Sequence, residues 1–309
     1  MKPFVVCYSL STMQPTAAPQ RAVLALGNFD GVHLGHRTLL SRTQELRQQH
    51  APGAVCGVFS FSTPSTEYLL AKPHHQISTL EERLLSFREC GMEYAFIADF
   101  PTVRDLTPGE FISHVLVDLC HCVGAACGYN FFFGKGGKAD GETLKHLADF
   151  PVVIQEEVCY GKTPVSSTRI RALLSEGKVR DAAGLLTKPY SFTAPVLYGK
   201  SLGHKLGSPT INQNLPPCKV IPAHGVYVTD CQFEGKTFRA VSNVGVRPTT
   251  DYNSAVNCES YLLDFDGDLY GKEITVSFLE HIRDEIRFSS LEELKEQIQR
   301  DILFAKNYQ

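Results

Sequence analysis

The chain has 309 residues, 43% of them hydrophobic and 20% charged, which suits two globular domains better than one. A net charge of −3 and a pI near 6.4 exclude the broad basic face of a general nucleic-acid binder, so no nucleic-acid partner is expected. The ten cysteines are scattered, and their densest group, Cys120, Cys122 and Cys127, holds no CxxC. They read as free thiols of a cytoplasmic protein; no long apolar segment or basic-then-apolar leader stands out, so no membrane partner is expected, and the oligomeric state stays open.

In chain order, Ala22–Leu26 is a short apolar run fit for a buried strand, and Leu39, Leu40 and Leu46 recur at roughly helical spacing after it. Between them lies Gly27-Asn28-Phe29-Asp30-Gly31-Val32-His33-Leu34-Gly35-His36. Its glycines let backbone approach a ligand, a helix N-terminus offers N–H donors, and two histidines three apart can bond phosphate oxygens, so a triphosphate is the expected guest. A metal site at the two histidines is a poorer reading, since no Cys or Glu stands at zinc-motif spacing.

Ala54–Phe59 reads as the next strand, and Ser78-Thr79-Leu80-Glu81-Glu82 opens a helix with overlapping capping boxes, closed by Gly91. Glu93–Ala98 repeats the strand, and Thr107-Pro108-Gly109-Glu110 the capped helix start. Gly124–Gly128 and Val152–Ile154 are further strands, with a helix from Gly141 to Leu147 between them. The alternation predicts a doubly wound α/β domain over residues 1–186. Val165-Ser166-Ser167-Thr168-Arg169-Ile170-Arg171 opens another helix with hydroxyls and arginines, as an anion site or an ordinary Ser cap would.

Beyond Lys188-Pro189-Tyr190 short β-type runs take over, centred on Val226–Val228, Phe238–Val241, Ser260–Leu263 and Ile274–Phe278, with Glu234-Gly235 and Asp266-Gly267 as hairpin turns. A helix capped by Ser290 and Glu293, with Leu291, Leu294, Ile298 and Ile302 on one face, seals this small antiparallel β domain, residues 187–309.

GNFDGVHLGH resembles the HxGH signature of nucleotidylyltransferases, and more specifically the opening motif of the prokaryotic bifunctional riboflavin kinase/FMN adenylyltransferase family. SSTRIR is similar to the second motif of that family, and the segment from Gly128 to Gly136 to its GxNFxFGxG loop. A Walker reading of that loop fails on spacing. The resemblance implies that His33 and His36 are catalytic, that Gly27, Asn28, Asp30, Gly35, Ser167, Thr168 and Arg171 bind ATP phosphates, and that Asn130 contacts flavin. Phe132 stands where the family often has arginine, and Thr63-Pro64-Ser65 where it usually has Pro-His-Pro.

In the second half, the glycine-rich run from Gly199 to Asn212 resembles the ATP loop of riboflavin kinase, with its PTxN as Pro209-Thr210-Ile211-Asn212; His204 and Ser208 depart from the usual arginine and phenylalanine. The resemblance gives Gly203 and Gly207 to ATP, Thr210 and Asn212 to Mg²⁺ and phosphates, and makes Glu259 the base for the ribityl 5′-hydroxyl. The residues alone read Glu259 as an outward strand glutamate, and Arg283, a flavin-contact candidate, as part of a surface salt bridge. Together these imply an α/β nucleotidylyltransferase followed by a β-barrel kinase with a C-terminal helix. Riboflavin, FMN and ATP are its substrates and FAD its final product. The rivals are a chain with a decayed kinase half and a flavin- or nucleotide-binding regulatory protein.

Overall fold

The computed structural model describes residues 5–8, 19–63, 65, 75–197, 210–246 and 256–309. The chain divides into two units, Met1–Ser167 and Thr168–Gln309, so the boundary falls inside SSTRIR. Pro64, the stretch holding Gly203, His204, Gly207, Ser208 and Pro209, and Arg247-Pro248-Thr249 lie outside the described residues.

The first unit is built on β1 (Val5–Tyr8), β2 (Ala22–Leu26), β3 (Val55–Phe61), β4 (Tyr94–Ala98), β5 (Cys122–Gly128) and β8 (Val152–Gln155). They form one parallel sheet in the order β1-β4-β3-β2-β5-β8. All five residues of β2 are buried, which is what a continuous apolar run at the centre of a parallel sheet covered on both faces achieves. The order reverses at β2, which pairs with β3 on one side and β5 on the other. A doubly wound sheet opens a crevice at that switch, beyond the C-terminal ends of its strands. The loop after β2 lies there.

Helix α1 (Leu34–His50) follows that loop, and α2 (Leu80–Glu89) carries a complete capping box between Thr79 and Glu82. Of the two overlapping boxes expected here only this one forms, because the Ser78 hydroxyl accepts from Gly31 N–H instead, at 2.8 Å. Thr107 and Glu110 cap reciprocally as expected, but the helix begun at Pro108–Glu110 continues as a π-helix over Phe111–Leu119, which no local pattern announces. Two short hairpins, β6 (Phe132–Phe133) with β7 (Ala139–Asp140) and β9 (Cys159–Tyr160) with β10 (Thr163–Pro164), and α3 (Gly141–Leu147) complete the unit.

The second unit opens with α4 (Ser167–Ser175), all but its first residue, and α5 (Val179–Leu186), which packs on the strands Glu273–Arg283 and Tyr190–Pro195. Its strands are β11 (Tyr190–Pro195), β12 (Ile211–Asn214), β13 (Gly225–Phe233), β14 (Lys236–Val246), β15 (Val256–Leu262) and β16 (Glu273–Arg283). The antiparallel order is β11-β16-β13-β14-β15-β12. A bridge between Leu197 and Asn212, with Gln213 Nε2 donating to Ala194 O, joins the two ends of this curled sheet. Phe192, Tyr227, Val276 and Phe278 fill the interior, and a buried hydroxyl ladder, Thr229 to Ser242 (2.6 Å) to Ser260 (2.7 Å), crosses three strands.

Glu234 (φ 49°) and Gly235 (φ 75°) form the expected hairpin turn with two left-handed residues. Asp266-Gly267 is not a hairpin turn: β15 and β16 are separated in the sheet by β14 and β13, so the segment is a longer connection. Helix α6 (Leu291–Asn307) is capped by Ser290, but Leu291 is 62% exposed. Its packed face runs instead through half-buried Leu294 and Ile298 to Asp301, Ile302 and Ala305.

Candidate active sites

The loop after β2 is held in a strained shape. Phe29 (φ 54°), Gly31 (φ 85°) and Val32 (φ 40°) all take left-handed backbone, which a β-branched residue adopts only when its surroundings impose it. The constraint is visible. Asp30 is buried, and its carboxylate accepts from the N–H groups of Ile77 (2.9 Å) and Ser78 (3.0 Å), while Ser167 Oγ donates to Asp30 O at 2.9 Å. Asp30 thus braces the loop from within. Ser65, from the departing Thr63-Pro64-Ser65, bonds the Asn28 side chain, with Asn28 Nδ2 to Ser65 Oγ at 3.0 Å.

His33 is the N-cap of α1, its Nδ1 accepting from His36 N–H at 3.3 Å. In the neutral ring the proton is therefore on Nε2, which leaves that nitrogen as a donor. The His33 and His36 rings stack at 3.6 Å, and the ring of Phe29 meets His36 edge-on at 5.2 Å. At Gly35 a Cβ would lie 3.3 Å from the His33 ring, a tight contact that would press on that ring. Asn130 is exposed in the turn directly after β5, the strand beside β2, so it shares the C-terminal side of the sheet with the histidines. Thr168 is exposed and Arg171 half-buried on α4.

Burial, then the neighbouring His33 and Arg83 charges, pushes the His36 pKa well below 6.5. The unfolded chain takes up a proton near 6.5 that the folded one refuses, so this group's stability contribution is whole above that pH and declines as pH falls below it. Thermal unfolding is therefore expected at a lower temperature near about pH 5.5 than near about pH 7.5, with the difference reduced in His36→Gln. Equal pH sensitivity in the two proteins would rule this out.

In the second unit Asn212 pairs in register with Glu259 across β12 and β15, and Asn243 pairs with Glu259 from β14. Thr210 Oγ1 donates to Glu259 Oε1 at 2.5 Å, and Asn257 Nδ2 to Asn212 Oδ1 at 3.2 Å. Strand alternation puts Asn212, Asn257, Glu259 and Asn243 on the face opposite the interior hydroxyl ladder. Glu259 is half-buried. The Asn257 amide oxygen is buried, with no hydrogen-bond partner among the described residues.

Arg283 is ion-paired to the C-terminal helix. Its Nε and Nη2 engage the Asp301 carboxylate of α6 at 3.1 and 2.8 Å, Gln297 Nε2 adds a bond to Asp301, and Phe288 lies under the guanidinium at 5.8 Å. Arg283 thereby anchors the C-terminal helix, a bidentate pair holding the fork of its guanidinium. Asp301 is only 3% exposed, so Arg283→Met strands a buried carboxylate and is expected to remove about 3 kcal/mol of stability. An unchanged denaturant midpoint would refute that.

The FAD synthetase family profile matches residues 16–169, and the riboflavin kinase profile matches residues 186–309. Bifunctional riboflavin kinase/FMN adenylyltransferases of Escherichia coli (strain K12) and Bacillus subtilis (strain 168) are 35% and 30% identical to the chain. The first match covers 94% of this chain and 94% of the relative, the second 93% and 92%. The chain belongs to that family. A crystal structure from Streptococcus pneumoniae, described as a macrolide-efflux protein, superposes with a TM-score of 0.87 at 29% identity, covering 95% of this chain and 96% of that one. Among the described residues no helix is long and apolar enough to cross a membrane.

In this riboflavin kinase/FMN adenylyltransferase, sequence reasoning overlooked three residues that shape the sites. Arg83 lies buried beneath the β2 loop, Ser65 holds Asn28, and Asn257 holds Asn212. Arg83 had a signal, a charged residue inside an otherwise periodic helix; the other two become visible only through pairing with distant residues.

Proposed function

We propose that the first unit joins FMN to the adenylyl group of ATP and that the second phosphorylates riboflavin, with the residues above dividing the work. The observation that carries this reading is that each unit gathers its own cluster of side chains chemically able to bond phosphate or its metal: stacked His33 and His36 in one, Thr210, Asn212 and Glu259 in the other. In adenylyl transfer an FMN phosphate oxygen attacks the α-phosphorus and pyrophosphate leaves. His33 Nε2–H, His36 and Ser167 meet the charge that builds on the phosphates, while Gly27, Asn28 and Gly35 shape the loop around them. The family resemblance gives Thr168 and Arg171 phosphate binding as well. Asn130 contacts the flavin.

In the kinase step Glu259 takes the proton of the ribityl 5′-hydroxyl as that oxygen attacks the γ-phosphorus, and ADP leaves. Thr210 and Asn212 are hard oxygen donors, a set that fits Mg²⁺, which takes few protein oxygens and shares substrate phosphates. Mg²⁺ bound there would neutralise phosphate charge. Gly203 and Gly207 complete the ATP loop. A cytoplasmic setting accords with the nine described cysteines, all free thiols; burial pushes Cys122 and Cys127 to about 12 and Cys56 and Cys258 to about 11.

The test is direct. Purified chain with riboflavin, ATP and Mg²⁺ should yield FMN and then FAD, resolved by chromatography. FMN without FAD at long times would reject the first unit's role, and no FMN at all would favour a decayed kinase.

A further inference from the structure

Arg83 projects from α2 beneath the β2 loop and is 0% exposed. Its Nη1 donates to Asn28 O (3.0 Å) and Ser60 Oγ (3.2 Å), and its Nη2 to Ser62 O (2.9 Å). Every one of these acceptors is neutral, and Nε has no partner. Buried guanidinium groups are ordinarily neutralised by a carboxylate, because an uncompensated charge away from water is strongly unfavourable. The carboxylate that acts on Arg83 at a distance is Asp30, and its oxygens are turned to the Ile77 and Ser78 N–H groups. Among the described residues this positive charge under the loop has no ion-pair partner.

Its bonds also have a direction. A trans peptide holds C=O and N–H on opposite sides, so tying Asn28 O down to Arg83 turns the Phe29 N–H away from it. We propose that Arg83 is a positioning residue for adenylyl transfer: it fixes the Asn28–Phe29 peptide and supplies, from below the loop, the positive field that a bound polyphosphate completes. This rests on the role proposed for the first unit. The same field accounts for part of the low proton affinity of His36, on which the charges of His33 and Arg83 act, while Asp30 acts in turn on Arg83.

Arg83→Gln and Arg83→Lys in the full chain separate field from scaffold, with riboflavin phosphorylation as the control for intact protein. The glutamine variant should lose about tenfold or more in kcat for FAD formation, with KM for FMN within about twofold, and its His36 should titrate at higher pH by NMR. The lysine variant, which keeps the charge, should stay within about threefold of wild type with His36 titrating as before. Full activity in the glutamine variant would overturn the inference. So would equal losses in both variants with the His36 titration unmoved, the result that a purely structural bond gives. If the glutamine variant does not fold, the lysine variant decides: retained turnover upholds the inference and a loss of about tenfold overturns it. Wild-type protein that forms no FAD would overturn the activity reading itself, and this inference with it.

Discussion

Glu259→Gln slows FMN formation by roughly 10²–10⁴-fold while conversion of supplied FMN to FAD continues. Glutamine preserves size and an oxygen for the Thr210 hydroxyl, now 2.5 Å from Glu259 Oε1, so the local arrangement has reason to persist. What it removes is the capacity to take a proton at the moment the nucleophile needs to lose one. The two conversions are followed separately, with riboflavin or FMN as the starting flavin. Loss of both activities in a variant with unchanged thermal unfolding would defeat the assignment of Glu259 to the kinase step alone.

His36→Ala should show the mirror image, with FAD formation down roughly 10²–10³-fold and riboflavin phosphorylation intact. The loss has two sources. Alanine removes a nitrogen that can bond phosphate, and it takes away the ring stacked at 3.6 Å on His33, so the remaining imidazole loses that packing. The backbone N–H that His33 caps is retained, so α1 keeps its start. Adenylyl transfer at the wild-type rate would move the phosphate role away from this histidine.

Features encoded by near neighbours were legible in the sequence. The capping residues Thr79 with Glu82 and Thr107 with Glu110, the bounds of α3 and the left-handed turn at Glu234-Gly235 each depend on residues within one turn. Features that depend on distant partners were not. Asp266-Gly267 has turn chemistry, but whether it makes a hairpin is decided by β13 and β14 coming between its flanking strands. Leu291 continues an apolar period that the sheet does not reach, and the helix instead buries Asp301, whose acceptability depends on Arg283. The bracing bonds of Asp30 are of the same kind, since the Ile77 and Ser78 N–H groups that it accepts from lie 47 and 48 residues away.

The left-handed Val32 bears on how nucleotide binding divides between enthalpy and entropy. A glycine-rich loop that wandered in the free protein would surrender its freedom whenever ATP arrived, and affinity would carry that ordering cost. Here the braces from Ile77, Ser78 and Ser167 impose the order during folding, so the ligand finds a surface already in shape. Calorimetry should accordingly find little heat-capacity change attributable to ordering of this loop when ATP binds the first unit. Relaxing Val32 to glycine would then return that entropy to the free state and weaken binding chiefly through its entropic part.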